Sequence, residues 1–497
     1  MPLSPKKEYQ VRTIREGSGK GSSTAPAEEP EICHFTRGPV TAAQKRVVLL
    51  IAVLAGFITP FDGSAVNIAL PAISAEFHID AIALSWVATA YLLATAMFLV
   101  PFGKIADIYG RKRIYLYGIV VFTTASLLMT LVGSTQMLLA VRVLQGIGSA
   151  MIFGTAVAIL TSVFPPGERG KALGIYITSV YLGLSLGPFL GGVLTENLGW
   201  RSIFFINIPI GIAAILLIVW KLKGEWVECK GEPFDLTGSL IYGITLVAVM
   251  FGFSALPHPV GLFLVLAGMA GMIVFIRYEQ RQRFPVLNMR LFSGSRVFTF
   301  SNLAALINYS ATYAVAFLLS LYLQYTRGLS PEYAGVILVA APVVQTVVSP
   351  FSGRLSDRVD PGVIASIGMG FTAFGLFLLV FLSDSTPLWY ILCALVVLGL
   401  GFGLFTSPNT NAIMSAVERK YYGVASGVVS TMRLLGQMLS MGIAMMIFGI
   451  VIGRVEITPE NYPEVLTSVR YAFIVFMVLC IIGIFASLVR RKRDDQS

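Results

Sequence analysis

The segment Gly183-Leu-Ser-Leu-Gly187-Pro188-Phe-Leu-Gly191-Gly192 lies inside an apolar run long enough to cross a membrane. Glycines at positions i, i+4 and i+8 share one helical face and let another backbone approach closely. Proline removes a backbone donor, frees a carbonyl and bends the helix. A bent helix with a smooth face is suited to slide or rock against a neighbour, although ordinary helix packing uses the same glycine spacing.

The composition indicates an integral membrane protein. Of 497 residues, 56% are hydrophobic and only 12% are charged, whereas soluble proteins carry about 25% charged residues. Apolar runs of membrane-spanning length recur along the chain. We predict fourteen spans, at roughly 46–72, 83–103, 113–133, 136–162, 170–194, 202–222, 236–256, 260–278, 297–325, 332–352, 362–383, 387–412, 422–453 and 468–489.

The basic residues are distributed unequally between the two sides of these spans. Of 36 lysines and arginines, 30 fall in loops or tails on one side. The other side has Arg201, Arg327, Arg454 and Arg470, and Arg142 and Arg433 lie inside spans. This bias predicts that both termini are cytoplasmic, in the inner (plasma) membrane. It also explains the net charge of +10 without a nucleic-acid partner.

The tails and the reactive side chains predict few further sites. Residues 1–44 are polar and predict a disordered cytoplasmic tail without a cleavable signal peptide. The basic residues at 490–493, where a short cytoplasmic tail at 491–497 begins, predict an anchor beside anionic lipid in the bilayer. The four cysteines are scattered and the three histidines lie in loops or the tail, so we expect no disulfide framework, metal site or cofactor.

The chain contains an internal repeat. Three pairs of short motifs match in order, at offsets of 250 to 253 residues: 103–108 with 353–358, 146–148 with 399–401, and 170–174 with 423–427. Paired halves of this kind are typical of transporters with a site between the halves. We predict an all-α membrane protein of two pseudo-symmetric six-helix bundles, at 45–225 and 296–490, with two linker helices inserted at 226–295.

The motifs resemble those of the major facilitator superfamily, in particular its fourteen-helix drug:proton antiporter branch. The resemblance rests on segment 183–192, the loop 103–113, and three further stretches at 61–71, 139–148 and 199–209. It implies a monomeric antiporter, not an enzyme, that exports hydrophobic or amphipathic small molecules of the multidrug type in exchange for protons by alternating access. Glycines 183, 187, 191 and 192 with Pro188 match the antiporter signature. The repeat has Ser440 and Met441 where the first half has Gly187 and Pro188, so the resemblance places proton coupling mainly in the first half.

An ionisable group at bilayer depth is costly and is a functional candidate. Asp62 lies 16 residues beyond Arg46, which is about 24 Å along a helix. Arg142 lies six residues into a span that runs the other way, or about 9 Å deep. The two groups therefore lie at similar heights, and we predict an Asp62–Arg142 pair that couples protons. A permanent bridge that only orients helices remains an alternative.

A cytoplasmic gate is predicted in the short loops that follow the second span of each half. Its candidate residues are Gly103, Asp107, Gly110, Arg111 and Asp357. A carboxylate there can cap a helix N-terminus and complement its dipole. In the resembled fold the partner of Asp107 is the start of span 13 and that of Asp357 is the start of span 5, and these contacts close the gate. A cluster that only anchors the loops is the alternative.

Polar and aromatic residues within spans are candidates for a substrate cavity, although some of them serve only interhelical hydrogen bonds. They are Asn67, Tyr91, Tyr176, Tyr181, Asn308, Tyr313, Asn409, Arg433 and Gln437. Arg433 is near mid-membrane with no carboxylate of its own half at that depth, so structural and substrate roles stay open. The family resemblance favours cationic or neutral substrates.

No Gly-rich stretch carries the Lys-Ser/Thr of a phosphate-binding loop, so transport is predicted to be driven by an ion gradient. Two alternatives to a multidrug antiporter remain. One is an exporter of a single physiological solute or lipid, which Arg433 would suit if that solute were anionic. The other is a transport-dead membrane sensor, against which Asp62, Arg142 and Pro188 argue.

Overall fold

A computed structural model of the protein describes residues 41–489, except residues 223, 230, 288 and 419–421. The basic cluster at 490–493 and most of the predicted amino-terminal tail lie outside the described residues. The last residues of that predicted tail are helical, because Thr41 caps the first helix and its side chain accepts from the Gln44 amide.

Fourteen helices in the described ranges are long and apolar enough to cross a membrane, which confirms the predicted number. They extend beyond the predicted spans at several ends, because the prediction counted only the apolar core. Their bounds are α1 Ala42–Phe77, α2 Ala81–Tyr109, α3 Arg111–Thr130, α4 Thr135–Val163, α5 Pro166–Leu198, α6 Ser202–Lys221, α7 Leu236–Ala255, α8 Pro259–Arg281, α9 Arg296–Thr326, α10 Pro331–Leu355, α11 Pro361–Val380, α12 Leu388–Ser415, α13 Tyr422–Val451 and α14 Tyr462–Val489.

Polar or glycine-containing connections of different lengths separate the helices. The Asp80 carboxylate accepts from the amides of Ile82 and Ala83, both at 2.8 Å, and so begins α2. Gly110 lies between α2 and α3 with φ of 121°, a conformation that favours glycine. The chain therefore reverses direction within one residue between α2 and α3, whereas the α6–α7 and α8–α9 connections run over 222–235 and 282–295. Successive helices cross the membrane in opposite directions.

The helices form two pseudo-symmetric bundles, α1–α6 and α9–α14. In the first, α1 packs on α5 and α6, and α4 on α2 and α3. The same contacts recur in the second, where α9 packs on α13 and α14, and α12 on α10 and α11. These pairings confirm the fold class predicted from the repeated motifs.

The repeated glycines hold equivalent helices together. A methyl group added at Gly146 of α4 would lie 2.7 Å from the Ala94 side chain of α2, and one added at Gly399 of α12 would lie 2.7 Å from Val344 of α10. Each glycine therefore lets two backbones approach closely. The motif pair 146–148 and 399–401 is thus the same interhelical contact, made once in each bundle.

Helices α7 and α8 pack mainly on each other, and α7 also contacts α2 and α13. The outer face of α8 carries exposed apolar side chains such as Phe263, which is 69% exposed. Such a face suits lipid contact. The loops at the α2–α3, α4–α5, α6–α7, α8–α9, α10–α11 and α12–α13 connections form what we call the basic side, and the other loops form the opposite side.

Candidate functional site

Asp62 and Arg142 form an ion pair inside the first bundle. Arg142 Nη1 donates to Asp62 Oδ2 at 2.6 Å, and Asp62 is 0% exposed and Arg142 1% exposed. Arg142 Nε donates to the Val87 carbonyl at 2.9 Å. The predicted pairing is therefore present, between α1 and α4, and its charges are shielded from water and lipid.

Two amide side chains complete the surroundings of the Asp62 carboxylate. Gln145 Nε2 donates to Asp62 Oδ1 at 2.9 Å, and Asn207 Nδ2 donates to the same oxygen at 3.0 Å. Gln145 also accepts from Arg142 at 2.7 Å and donates to Ser126 Oγ at 3.1 Å. Charges buried in this way are tolerable only when they are paired and hydrogen-bonded.

Sequence reasoning did not assign Gln145 and Asn207 to this network. Both lie in stretches used for the family resemblance, 139–148 and 199–209. Two features of the sequence could have indicated them. Gln145 lies about one helical turn after Arg142, and Asn207 is a polar residue inside the most apolar of the first six spans. Depth alone could not show that α6 brings Asn207 to Asp62.

The glycines of segment 183–192 seat α5 against α1 beside Asp62. Methyl groups added at Gly183 and Gly187 would collide with the Phe57 carbonyl and the Ser64 hydroxyl, and one at Gly191 would lie 2.8 Å from Ala65. Ser64 Oγ donates to the Pro60 carbonyl at 2.9 Å, the i to i−4 bond that a serine side chain commonly makes inside a helix. The smooth face of α5 thus packs on the turn of α1 that carries the carboxylate.

Tyr91 separates the buried pair from the centre of the molecule. The Arg142 guanidinium lies over the Tyr91 ring, 4.5 Å from its centroid, within cation–π range. The Tyr91 hydroxyl is 2.7 Å from Ser149 Oγ and also reaches the Thr59 carbonyl at 3.3 Å. One face of the tyrosine therefore covers Arg142, and the residue also lines the central cavity.

A cavity of about 230 Å³ lies between the two bundles. Helices α1, α2, α4 and α5 line it from the first bundle, and α9, α10, α12 and α13 from the second. Seven of the nine candidate cavity residues lie on its wall, together with Pro188: Asn67, Tyr91, Tyr181, Asn308, Tyr313, Arg433 and Gln437.

Tyr176 and Asn409 lie outside this wall, and so do Asp62 and Arg142. Tyr176 packs against Gly56, where an added methyl group would lie 2.7 Å from the tyrosine ring. Asn409 Nδ2 donates to the Ser301 carbonyl at 3.0 Å, between α12 and α9. These two candidates face neighbouring helices because helical rotation, which hydropathy does not report, turns them away from the centre.

The cavity is closed toward the opposite side by direct contacts between the bundles. Ser320 Oγ donates to the Asn67 carbonyl at 2.8 Å, and Gln324 Nε2 donates to the Ile68 carbonyl at 3.0 Å. Methyl groups added at Gly192 of α5 or Gly335 of α10 would collide with the backbone carbonyls of Pro331 and Pro188. Helices α5 and α10 therefore meet backbone to backbone at this end.

The bundles are separated toward the basic side. Methyl groups added at Gly170 and Gly174 of α5, or at Gly427 of α13, would meet no atom within 4 Å. The same two helices line the cavity farther along, through Tyr181 and Arg433. The space between the bundles therefore widens from the cavity toward the basic side.

The candidate gate residues of the first bundle are held by the segment between α6 and α7. Arg111 forms ion pairs with Asp107 at 2.7 Å and with Glu228, and the Asp107 carbonyl accepts from the amides of Glu228 and Cys229. An added methyl at Gly110 would lie 2.5 Å from Glu225, whereas Gly103 packs on α4.

Asp357, the equivalent residue of the second bundle, has fewer contacts. Asn411 Nδ2 lies 3.4 Å from Asp357 Oδ1 and donates more closely to Ser356 Oγ, at 2.9 Å. The predicted contacts with the starts of α13 and α5 are not among the described interactions of either aspartate in this conformation. That result agrees with the separation of the bundles at this end.

Comparison with known proteins identifies the family. The profile of the Major Facilitator Superfamily matches residues 52–441 and 301–497. The riboflavin transporter RibZ of Clostridioides difficile is 30% identical over 91% of this chain and 99% of its own length. The multidrug resistance protein Stp of Mycobacterium tuberculosis (strain CDC 1551 / Oshkosh) is 30% identical over 80% of this chain and 75% of its own.

Solved structures share the fold. A bacterial homologue of the human lysosomal transporter Spinster, in an inward-facing and unoccupied conformation, has a TM-score of 0.65 at 16% identity, covering 90% of this chain and 97% of that one. The peptide transporter POT in complex with alafosfalin has a TM-score of 0.67 at 14% identity, covering 90% of this chain and 94% of that one. With its fourteen apolar helices, paired bundles and central cavity, the chain belongs to the major facilitator superfamily and is a multi-pass membrane transporter.

Proposed function

We propose that the protein exports hydrophobic or amphipathic compounds in exchange for protons by alternating access. The observation that carries this proposal is the fully buried Asp62 carboxylate, paired with Arg142 beside the central cavity. A carboxylate at membrane depth can hold a proton as its surroundings change. Tyr91, which lies over Arg142 and lines the cavity, connects that change to substrate occupancy.

The basic side is the cytoplasmic side in this proposal, because basic loops are retained in the cytoplasm. Both termini are then cytoplasmic, and the protein lies in the plasma membrane. The space that widens toward the basic side accepts substrate from the cell, and the contacts of Asn67 and Ile68 with α9 close the outer side. The relative named multidrug resistance protein Stp supports export.

We propose that one monomer contains both moving parts. They are the bundles at 45–225 and 296–490, which rock about the cavity, while residues 226–295 link them through α7 and α8. When the basic side closes, Asp107 and Asp357 approach the starts of α13 and α5. The charge of each aspartate then complements the partially positive start of the opposing helix.

The proposal is tested with Asp62→Asn in proteoliposomes. The amide keeps the shape of the side chain but cannot carry a proton, so we expect loss of efflux driven by a pH gradient while the protein remains folded. Asp384→Asn, at an exposed loop carboxylate, is the matched control and keeps full activity. Wild-type gradient-driven efflux by Asp62→Asn at equal expression would refute proton coupling at this residue.

A second candidate function is export of a single physiological solute. Arg433 on the cavity wall favours it, since a fixed charge in the centre narrows the range of ligands. The relative named riboflavin transporter supports the same alternative. Susceptibility of an efflux-deficient host to a panel of toxic compounds separates the two: a multidrug exporter protects against many of them, and a single-solute exporter against none or one.

A further inference from the structure

The charge of the cavity wall restricts what can bind. Arg433 is the only charged residue among those that line the cavity in the described part of the chain. Asp62 and Arg142 neutralise each other and lie outside the wall. A ligand in the cavity therefore meets one positive charge and no carboxylate, which disfavours cations.

Arg433 is placed to bind a ligand more than to stabilise the fold. It lies about 17 Å along α13 from Tyr422, too far inside for its side chain to reach the basic end. Its guanidinium lies 5.5 Å from the centroid of the Tyr309 ring. No hydrogen bond or ion pair joins it to another described residue, so its N–H fork is available for a carboxylate or a similar planar anion.

Two hydrogen-bond acceptors of the wall also lack partners. The side-chain amide oxygens of Asn67 and Asn308 are buried and accept from no described group, although these residues are only 3% and 1% exposed. Buried polar atoms without a partner are rare in native proteins. Both residues line the cavity, but the two oxygens themselves have almost no open surface, so either amide must turn toward the cavity to accept from a ligand N–H or O–H.

The remaining wall near Arg433 is aromatic. Tyr309 and Tyr313 of α9 and Tyr181 of α5 line the cavity. Aromatic rings bind other rings in offset or edge-on contact. The volume of about 230 Å³ lies below the roughly 300–1,000 Å³ of most small-molecule pockets, and so suits a compact ligand of a few fused rings.

We infer that the cavity binds compact fused-ring aromatic compounds that carry an acidic group for Arg433 and a hydrogen-bond donor for Asn67 or Asn308, and that it excludes cations of the same shape. This inference rests on the proposed function only in taking the cavity as the transport site. It narrows the hydrophobic or amphipathic substrates proposed above. The family resemblance favours cationic or neutral substrates, and the inference opposes the cationic part of that expectation.

Binding to the purified full-length protein in nanodiscs tests the inference, with four ligands of one shape. These are acridone-2-carboxylate, which is anionic and has a ring N–H, neutral acridone, N-methylacridone, which lacks the donor, and cationic 9-aminoacridine. We expect affinity to fall in the order carboxylate, acridone and 9-aminoacridine. N-methylacridone should bind several-fold more weakly than acridone.

The variant Arg433→Gln should weaken binding of acridone-2-carboxylate by about tenfold or more, the effect of one charge-assisted hydrogen bond. It should leave acridone nearly unchanged and strengthen 9-aminoacridine. Arg454→Gln, at an exposed arginine of the opposite side, is the control and changes nothing. Tighter wild-type binding of 9-aminoacridine than of the carboxylate, or equal loss of all four ligands in Arg433→Gln, would overturn the inference. Equal binding of acridone and N-methylacridone would overturn its donor component.

The variant Asp62→Asn separates this inference from the proposed function. If both hold, it keeps the order of ligand affinities and loses gradient-driven transport. If it transports normally while the order is kept, proton coupling at Asp62 fails and the ligand class stands. If transport is lost and 9-aminoacridine binds best to the wild type, the ligand class fails and coupling stands.

Discussion

Helix α4 carries the arginine of the ion pair in the first bundle, whereas its equivalent α12 in the second bundle presents an apolar wall. Gly146 and Gly399 occupy equivalent positions, 253 residues apart, and pack equivalently on α2 and α10. When the same offset is added, Arg142 corresponds to Leu395 and Gln145 corresponds to Leu398. The leucines line the cavity, whereas Arg142 and Gln145 lie behind Tyr91 and bind Asp62.

This difference indicates that the backbone arrangement does not require the charges. The second bundle builds the same contacts with apolar residues, so the first retains a costly buried pair for another reason. Position 433 shows the converse, since the second bundle has Arg433 where the first has Val180 by the same offset. In the proposed mechanism, the first bundle binds the proton at Asp62, and the second bundle contributes Arg433, whose charge contacts the substrate.

The largest effect is expected when Arg142 is given the residue of the other bundle. Arg142→Leu leaves the Asp62 carboxylate buried without its cation, which should cost about 3–5 kcal/mol. Adding Asp62→Asn should recover most of that loss, because removing both charges is far less costly than removing one. Thermal unfolding in detergent measures both variants.

The matched control is Leu395→Met at the equivalent position, where a volume-conserving change should cost less than about 1.5 kcal/mol. If Arg142→Leu were as stable as that control, the pair would not be a buried ion pair in the native protein.

The next effect separates packing from function at the equivalent glycines. Methyl groups added at Gly146 and Gly399 would each lie 2.5 Å from a backbone carbonyl, that of Tyr91 and that of Ala341. Alanine at either position should therefore destabilise by about 1–3 kcal/mol. Only Gly146→Ala should also uncouple transport from the proton gradient, because it displaces the tyrosine that covers Arg142. Equal coupling ratios in both variants, measured in proteoliposomes, would contradict a special role for Tyr91.

A smaller effect is expected where the bundles meet on the opposite side. Gly335→Ala would drive a methyl group into the Pro188 carbonyl and push α5 away from α10. The conformational equilibrium should therefore shift by about 1 kcal/mol toward the conformation that is open to the opposite side. Pro188→Ala should keep the fold and make transport leaky, because the bend that seats α5 is relaxed. Cysteine accessibility from the opposite side measures the opening. Gly427→Ala, whose methyl meets no atom within 4 Å, should behave like the wild type.

The smallest effects are expected at the basic loops. Asp107→Ala should favour the conformation open to the basic side by about 1 kcal/mol or less, because the closed state loses a helix-capping charge. Asp357→Ala should shift it less, since that loop departs from the motif after Arg358. Cysteine labelling of α2 and α13 from the basic side reports the shift. Unchanged labelling in Asp107→Ala would indicate that the loop only anchors the topology.

The fold and the central ion pair were predictable because each depends on properties that are local along the chain. Apolar length sets the number of spans, and the depth of Asp62 and Arg142 follows from counting residues along helices of opposite direction. Asn207 was not predictable in this way. Its contact with Asp62 requires α6 to pack on α1 in one particular rotation about its own axis. A helix that is apolar almost all round, such as α6, is compatible with several rotations.

The fourteen spans, the basic side and the need of Asp62 for a cation follow from the sequence alone, because transfer into lipid penalises each wrong placement strongly. The repeat follows from motifs that match at nearly one offset. Three-dimensional packing places Tyr91 between that pair and the cavity and turns Tyr176 and Asn409 toward neighbouring helices. It also brings Arg433 to a cavity wall on which the described residues include no carboxylate. Those outcomes depend on which helices are neighbours and on how each is rotated. Interhelical packing determines both the neighbours and the rotation of each helix. Within lipid this packing has little hydrophobic driving force, so hydropathy does not predict its outcome.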